Sequence, residues 1–401
     1  LPEAQLAADG WPRGEAPGPE TMNEDKATRY HRLKRRTRLA GVAGGGALLT
    51  AFWLTGASAW VARAADRLVS MHSPAPLSHA AAVVLVYVLA LCLLAEAVSL
   101  PLEVYRGFVL ERRYDLSTQT FGRWLADHAK ASALGLGLAL GAGSAAYALL
   151  RWSPAWWWLP TSALLTAGSV GLAYVAPVVL FPLFFRLKPL DRETLGRRLV
   201  GLAERAGAPV LGVYEWQLGA RTRAANAALV GLGRTRRILL SDTLLGGYSE
   251  EEIEVILAPE LAHHVHGDLW KALAVDAALT AGALLAGHLA LRQAVGLGGL
   301  ASTADVAGLP VLLLAAACWS ALTLPVVNAL SRAHERQADR FALDLTRNPE
   351  AFIAAMRRLG AQHLADEEPS RLARWLFHSH PPLPERVAAA RRWMSRQVAA
   401  G

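Results

Sequence analysis

Cysteine is nearly missing from this chain. Cys92 and Cys318 are the only two among 401 residues, and both lie inside apolar runs. That excludes a disulfide framework and a cysteine-based zinc site. Charge is scarce as well: Asp, Glu, Lys and Arg make up 18% of the residues, against 53% hydrophobic. So little charge excludes an ordinary soluble domain and points to a membrane protein. The net charge of +8 does not indicate a nucleic-acid partner. The basic residues form no stripe interleaved with aromatics; they cluster beside apolar runs, as membrane orientation requires.

What the chain has in quantity is long hydrophobic runs. The first 38 residues are polar and rich in Pro, Gly and Glu, a composition expected to be a disordered basic tail. Within them Met22, ahead of "MNEDKATRYHRLKRRTRL", offers an alternative natural start. Six apolar runs follow, each long enough to cross a bilayer: Leu39 to Ala62, Ala80 to Leu102, Ala131 to Leu150, Trp152 to Phe185, Ala272 to Leu291 and Leu309 to Leu330. The first is too long in its apolar core for a cleavable signal, and further spans follow it. The fourth opens with "WSPAWWW", an aromatic belt for a membrane interface. Glu96 and Asp276 fall inside runs, where ionisable groups are expensive and should face protein or water. Lys and Arg crowd "HRLKRRTR" and the loop after the second run, which places the N-terminus, residues 186–271 and the C-terminus in the cytoplasm. The lipid bilayer is therefore the first expected partner.

Residues 186–271 read as a soluble α+β unit. "LDRETLGRRLVGLAERAG" has helical periodicity and ends at Gly207. "GVYEWQLG", "NAALVGLG" and "RRILLSDTLL" read as short strands between Gly-containing turns. Then comes "SEEEIEVILAPELAHHVHGD". Ser249 and Glu252 form a capping box, and Ile253, Ile256, Leu257 and Leu261 keep helical spacing. Pro259 stands about ten residues into that helix, where it lacks an N–H and meets the carbonyl of Val255, at a cost of about 3 kcal/mol or a kink. Such a break in local consistency needs a reason.

In H-E-x-x-H, two histidines four apart share a zinc ion on one helix face, and the glutamate beside the first acts on the zinc-bound water as general base. The corresponding five residues here are Pro259, Glu260, Leu261, Ala262 and His263. Base and second ligand are present; the first ligand is not. Alone, E-x-x-H on a helix is weak and more often ordinary surface chemistry.

Three further stretches change its weight: "NALSRAHERQADRFAL", "FHSHPPLPERV" and "LPLEVYRGFVLERRYDLSTQT". With "LAPELAHHVHGD" in place of a typical "LAHELGHHVHGD", the chain resembles the type I CAAX prenyl endopeptidase family, integral-membrane zinc metallopeptidases of the gluzincin kind. Asn328, Ser331, Arg332, Glu335, Ala338 and Asp339 match the family's third-ligand pattern, His380 to Arg386 its C-terminal signature, and "FPLFFRLKPL" its link into the soluble part. The likeness runs from about residue 80 to 395. Departures are Pro259 for the first zinc histidine, Ala262 for a glycine, and six runs where better-known members have seven spans.

The resemblance implies a multi-span, mostly α fold with a cytoplasmic α+β metallopeptidase domain. Its parts are the tail 1–38, an N-terminal membrane domain 39–185 with four spans, and a metallopeptidase-like domain 186–401 with two more, 272–291 and 309–330. It also implies roles: Glu260 as general base, His263 and Glu335 as zinc ligands, His380 as oxyanion stabiliser, Asp339 orienting a ligand histidine, and Asn226 holding the substrate backbone at an edge strand. One zinc ion is the family's cofactor. Each residue has a plainer reading: a packed histidine at His263, a surface glutamate paired with Arg332 or Arg336 at Glu335, a helix salt bridge at Asp339, a turn cap at His380. His264 points about 100° away and reads as a structural neighbour. His266 returns to the azimuth of Pro259 but roughly 10.5 Å along the axis, too far to replace it.

Three functions follow: a membrane zinc endopeptidase acting on membrane-associated peptides or proteins, impaired by Pro259; a catalytically inactive pseudoprotease that binds membrane-protein segments; and, from another class, a transporter or channel built on Glu96 and Asp276. A prenylated C-terminal motif is the family's eukaryotic substrate. The Ala/Arg/Gly-rich composition suggests a high-GC bacterium and its inner membrane, where membrane-protein turnover fits better.

Overall fold

The structure, a computed structural model, describes residues 19–71, 76–176, 179, 181–231, 233–366 and 369–400. Its first half is helical: α1 (Pro19–Leu54), α2 (Ala57–Ser70) and α3 (Pro76–Val104), the last continuing through a π-helical stretch, Tyr105–Leu110, into the short α4 (Glu111–Arg113). Then come α5 (Phe121–Trp152), α6 (Trp158–Val175) and the single turn α7 (Phe181–Phe184). Four helical segments among the described residues are long and apolar enough to span a membrane: His79–Arg113, Phe121–Trp152, Asp268–Ala294 and Val306–Thr346. A fifth arises if α1 and α2, bent by 67°, count as one broken span.

Two expectations from sequence change here. The run Leu39 to Ala62 is not one straight span, because Gly56 takes φ +75° and divides it. In the run Trp152 to Phe185 the described residues include the 18-residue α6 and the single turn α7, and α6 is not among the described helices long and apolar enough to count as spans. Its prolines, threonines and serines dilute the apolar character, and Trp157 is buried while Trp152 and Trp156 stay exposed. The segment expected to be a disordered tail also differs within the described residues. Helix α1 begins at Pro19, Ala27 and Tyr30 are buried against Leu110 and Leu364, and Arg35 pairs with Asp366 at 2.8 Å. The partners that order this segment lie about 80 and 330 residues away in sequence, so local composition could not show them.

The soluble part begins with β1 (Leu187–Pro189), α8 (Glu193–Arg205), β2 (Val213–Trp216), β3 (Ala227–Val230) and β4 (Arg237–Ser241). The sheet order is β1-β2-β4-β3. β2 and β4 are parallel, while β1 and β3 pair antiparallel with their neighbours. The three strands read from sequence are present; β1, inside the proposed link, was not foreseen. Helices α9 (Asp242–Gly247), α10 (Glu250–Val265), α11 (Asp268–Ala294), α12 (Leu309–Thr346), α13 (Pro349–Gln362), α14 (Arg371–Phe377) and α15 (Leu383–Ala400) complete the chain.

Two cores hold the molecule. In the soluble part Leu195, Leu199, Ile238, Leu257, Leu261 and Phe352 are fully buried around α10. In the membrane part Tyr87, Tyr147, Trp157 and Leu291 close a smaller core, while Leu89, Leu138, Leu322 and Val326 face outward, as lipid-facing surface would. Close helix approach is built with glycine: a Cβ at Gly282 on α11 would collide with the Trp319 indole of α12. Glu96 has its partner inside the bundle, His128 Nε2 at 2.6 Å on α5.

Candidate active site

The site hangs from two helices. The Ser249 hydroxyl caps α10 by accepting from the Glu252 N–H at 3.2 Å, and the Ser249 N–H donates to Glu252 Oε2 at 2.8 Å, so the capping box forms as its sequence signature indicates. Helix α10 then runs unbroken through Pro259 to Val265. It packs against α12, α13, β3 and α8, and nearly every residue from Ile253 to Ala262 is buried. Burial on several sides holds the helix together where the missing N–H of Pro259 would otherwise weaken it.

α12 brings Glu335 to the same place. Its side chain is only 13% exposed and lies between two imidazoles, with His263 Nε2 at 3.5 Å from Oε1 and His380 Nδ1 at 3.1 Å from Oε2. The far nitrogen of His263, Nδ1, donates to Asp268 Oδ2 at 2.9 Å, and Lys271 holds the other oxygen of Asp268 at 2.8 Å. The contact with Glu335 favours the imidazolium form of His263 and pushes its pKa up to about 9, against the opposing effect of burial. Burial raises the pKa of the Glu260 carboxyl as well, above the ordinary carboxylate value, which favours its neutral form. Glu260, Glu335, Pro259, His380 and Asn226 all line one cleft of about 480 Å³. The structure thus brings together the residues singled out from sequence, although Asn226 reaches the cleft from the sheet and His380, 64% exposed, from the loop before α15.

Several partners differ from expectation. Asp339 does not touch a histidine; Arg386 holds it with two bonds, at 2.8 and 2.5 Å. The carboxylate that orients His263 is Asp268, four residues beyond His264 on the next helix, a role that no spacing rule in the helix motif announces. Arg332 and Arg336 do not pair with Glu335. Arg336 bonds Glu385 at 2.7 Å. Arg332 donates to the carbonyls of Arg374 and His378, at 3.0 and 2.6 Å, and Asn328 donates to that of Trp375 at 3.1 Å. Asn328 and Arg332 therefore tie down α14 and the approach to His380. Their place in the pattern signalled importance, not this task.

His264 donates to the Leu229 carbonyl on β3 at 3.0 Å, a structural contact as read from its azimuth. His266 caps α10 and packs edge-on against Phe341, away from Pro259. β3 is at the edge of the sheet, as expected; its free side carries the one His264 contact. Asn226 is fixed at the strand entry, its N–H donating to Ser241 Oγ and its carbonyl accepting from the Ser241 N–H, both at 2.9 Å. His363 donates to the Ala225 carbonyl beside it at 3.2 Å.

The donor set does not fit a zinc ion. A catalytic zinc needs three protein ligands and an open position, and Pro259 offers no donor where one should stand. His263 and Glu335 remain, with His263 Nε2 and Glu335 Oε1 3.5 Å apart, but two donors fall short of the three required. Among the described residues no group of three His, Cys, Asp or Glu side chains is arranged to hold a metal. What the arrangement offers is a chain of contacts, Asp268–His263–Glu335–His380, whose Glu335 and His380 end lines the cleft beside the edge strand.

The chain matches two family models that nearly abut: CAAX prenyl protease N-terminal, five membrane helices, over residues 20–186, and peptidase family M48 over residues 189–394. It is 30% identical to the metalloprotease YhfN of Bacillus subtilis (strain 168) over 310 residues, 76% of this chain and 72% of that one. It is 26% identical to a CAAX prenyl protease 1 homolog of Caenorhabditis elegans over 337 residues, 75% of this chain and 74% of the relative. The fold is similar to the crystal structure of S. mikatae Ste24p, with a TM-score of 0.79 at 22% identity, covering 92% of this chain and 89% of that one.

Proposed function

The chain belongs to peptidase family M48, as an integral-membrane protein of the CAAX prenyl protease type, and from that premise we propose that it is a membrane metalloendopeptidase whose hydrolytic centre Pro259 disables. The M48 metallopeptidases are generally zinc-dependent. Here one observation carries the reading of impairment: at the position of the first ligand stands Pro259, a residue without a donor atom, which leaves His263 and Glu335 as two ligands where a catalytic zinc needs three. Asn226 and the free edge of β3 serve peptide binding in this reading, since an extended segment can add to an exposed strand. Glu260 would be the general base and His380 the oxyanion donor of the intact centre. The occupant is an extended segment of a membrane-associated protein. The basic flanks of the first spans support a cytoplasmic soluble domain and cytoplasmic termini, and the composition supports a bacterial inner membrane. The residues expected from sequence to divide as 1–38, 39–185 and 186–401 keep that division in this proposal, with helix α1 extending the membrane part toward residue 19.

A pure binding role, without cleavage, is the second reading, favoured by the same contacts. A transporter built on Glu96 is disfavoured by its bond to His128, which fixes the carboxylate between two helices. The test is elemental analysis of the purified full chain together with cleavage of a fluorogenic membrane-anchored peptide. We expect far less than one zinc per chain and no chelator-sensitive cleavage. One zinc per chain with chelator-sensitive turnover would overturn the proposal.

A further inference from the structure

On the far side of the Asp339–Arg386 pair from the peptide cleft, α12 and α15 enclose a second cavity of about 310 Å³, within the size range of small-ligand sites. Five arginines border it, two from α12 (Arg336 and Arg340) and three from α15 (Arg386, Arg392 and Arg396). Three carboxylates border it too, and each is occupied. Asp339 holds Arg386, Glu385 holds Arg336, and Asp344, one turn beyond Arg340, accepts from the Trp393 indole N–H at 2.7 Å. Arg340, Arg392 and Arg396 make no ion pair among the described residues.

This is an unusual balance. Arg336 and Arg340 are four residues apart on one helix, and Arg392 and Arg396 are four apart on the facing one. Like charges at that spacing oppose each other; Glu385 relieves Arg336, whereas Arg340, Arg392 and Arg396 border the same cavity without an ion pair among the described residues. A carboxylate that could relieve them, Asp344, is turned to an indole instead. An anion between the rows would remove the repulsion. The guanidinium fork matches phosphate oxygens two at a time, and several separate forks suit a multivalent oxyanion better than a single carboxylate. Trp393, fixed through Asp344, supplies a flat wall beside them.

We propose that the cavity between α12 and α15 binds a phosphate-bearing anion, held by Arg340, Arg392 and Arg396. Two sources share this chemistry. The apolar run of α12 ends at Leu330, so Arg336 and Arg340 stand roughly 9 and 15 Å farther along the helix. That is at, or just beyond, the headgroup layer of a bilayer whose polar regions add roughly 5–8 Å to each face. An anionic phospholipid headgroup and a soluble phosphate can both reach it.

The experiment uses the full chain in neutral detergent. Inorganic phosphate and tripolyphosphate are titrated at constant ionic strength against chloride, with thermal unfolding as the readout. In parallel, the chain is reconstituted in nanodiscs of phosphatidylcholine with or without phosphatidylglycerol, and lipid retention after extraction is measured by native mass spectrometry. We expect saturable stabilisation by the soluble anions or selective retention of phosphatidylglycerol, and which of the two occurs identifies the source. In R392Q/R396Q the apparent affinity should fall about tenfold or more, while R357Q, an exposed arginine on α13, should leave it unchanged. The proposal is overturned if the wild-type chain distinguishes neither phosphate from chloride nor phosphatidylglycerol from phosphatidylcholine. That comparison needs no variant to fold. Equal binding by R392Q/R396Q would overturn it as well.

Discussion

The two helices that meet at the cleft differ in how much of their chemistry they keep. On α12, Asn328, Arg332, Glu335 and Asp339 stand at the family's positions, and each has a partner. On α10, Glu260 and His263 are in place and Pro259 breaks the set. Yet α10 is the better packed of the two around the site, capped at Ser249 and buried along Ile253, Leu257 and Leu261. The contrast teaches that the scaffold and the ligand set are held by different forces. Apolar burial and a capping box keep α10 helical whatever stands at position 259. The carboxylates around the site find partners inside the protein: Glu335 has the imidazoles of His263 and His380, and Asp339 has Arg386. A buried carboxylate left without such a partner would be costly, so these contacts let a ligand be lost without loss of the fold.

The largest effect should come from making the two helices alike again. Pro259→His supplies the missing imidazole one turn before His263, and we expect zinc content to rise from well below one to about one per chain, with chelator-sensitive peptide cleavage appearing alongside. Pro259→Ala is the control that separates metal from backbone. It restores the N–H toward the Val255 carbonyl without adding a donor, so it should raise the thermal unfolding midpoint, by an amount corresponding to at most about 3 kcal/mol, and bind no zinc. Zinc at full occupancy in Pro259→Ala would break the comparison, because α10 would then hold metal without a first ligand. An unchanged midpoint would mean that its backbone is already adapted to proline.

A smaller effect sharpens the assignment of the supporting carboxylates. In the Pro259→His background, Asp268→Asn should weaken zinc about 10- to 100-fold, since Asp268 accepts from His263 Nδ1 and fixes its ring. Asp339→Asn in the same background tests the role expected from sequence. If it weakens zinc and Asp268→Asn does not, then Asp339 leaves Arg386 for the new imidazole, and the orienting group belongs to α12 after all.

How much of this was legible in the sequence follows the same divide. Elements that depend on local signals were readable: the capping box at Ser249, the three short strands, and the shared face of Glu260 and His263 on α10, because spacing along a helix fixes azimuth; that Glu335 and His380 join Glu260 at one cleft was readable only through the family resemblance. Contacts that depend on distant segments were not. Tyr30 and Arg35 order the N-terminal helix through Glu111 and Asp366, so a polar composition that reads as disordered is helical. Arg386 reaches Asp339 across 47 residues, a partner other than the histidine expected there. Hydropathy found the long spans but could not see that Gly56 turns one of them.

The smallest expected effect lies at the sheet side of the cleft, where α13 rather than α10 or α12 holds the strand entry. His363, the residue that follows α13, is solvent-exposed, yet partial desolvation by its neighbours lowers its pKa below the ordinary value, its bond to the Ala225 carbonyl opposing that only in part. The neutral form is thus favoured in the folded chain. The unfolded chain, with an ordinary histidine near 6.5, binds the proton more readily, so stability rises with pH through this window. The contribution of His363 is present in full above about pH 6.5 and is lost as pH falls through the folded value. His264 and His378 are shifted the same way, so the wild-type chain should lose stability on acidification from several sites at once. His363→Gln keeps a donor for the Ala225 carbonyl but cannot take up a proton. Its stability between pH 7.5 and 5 should therefore fall slightly less steeply than that of the wild type, the difference kept small because the exposed ring is screened by solvent, as measured by unfolding midpoints at matched ionic strength. Because Ala225 leads into Asn226, the same variant should also make peptide binding at β3 less sensitive to acid. Parallel slopes for the two proteins would mean that His363 remains neutral or charged alike in both states, and that the strand entry does not depend on its proton.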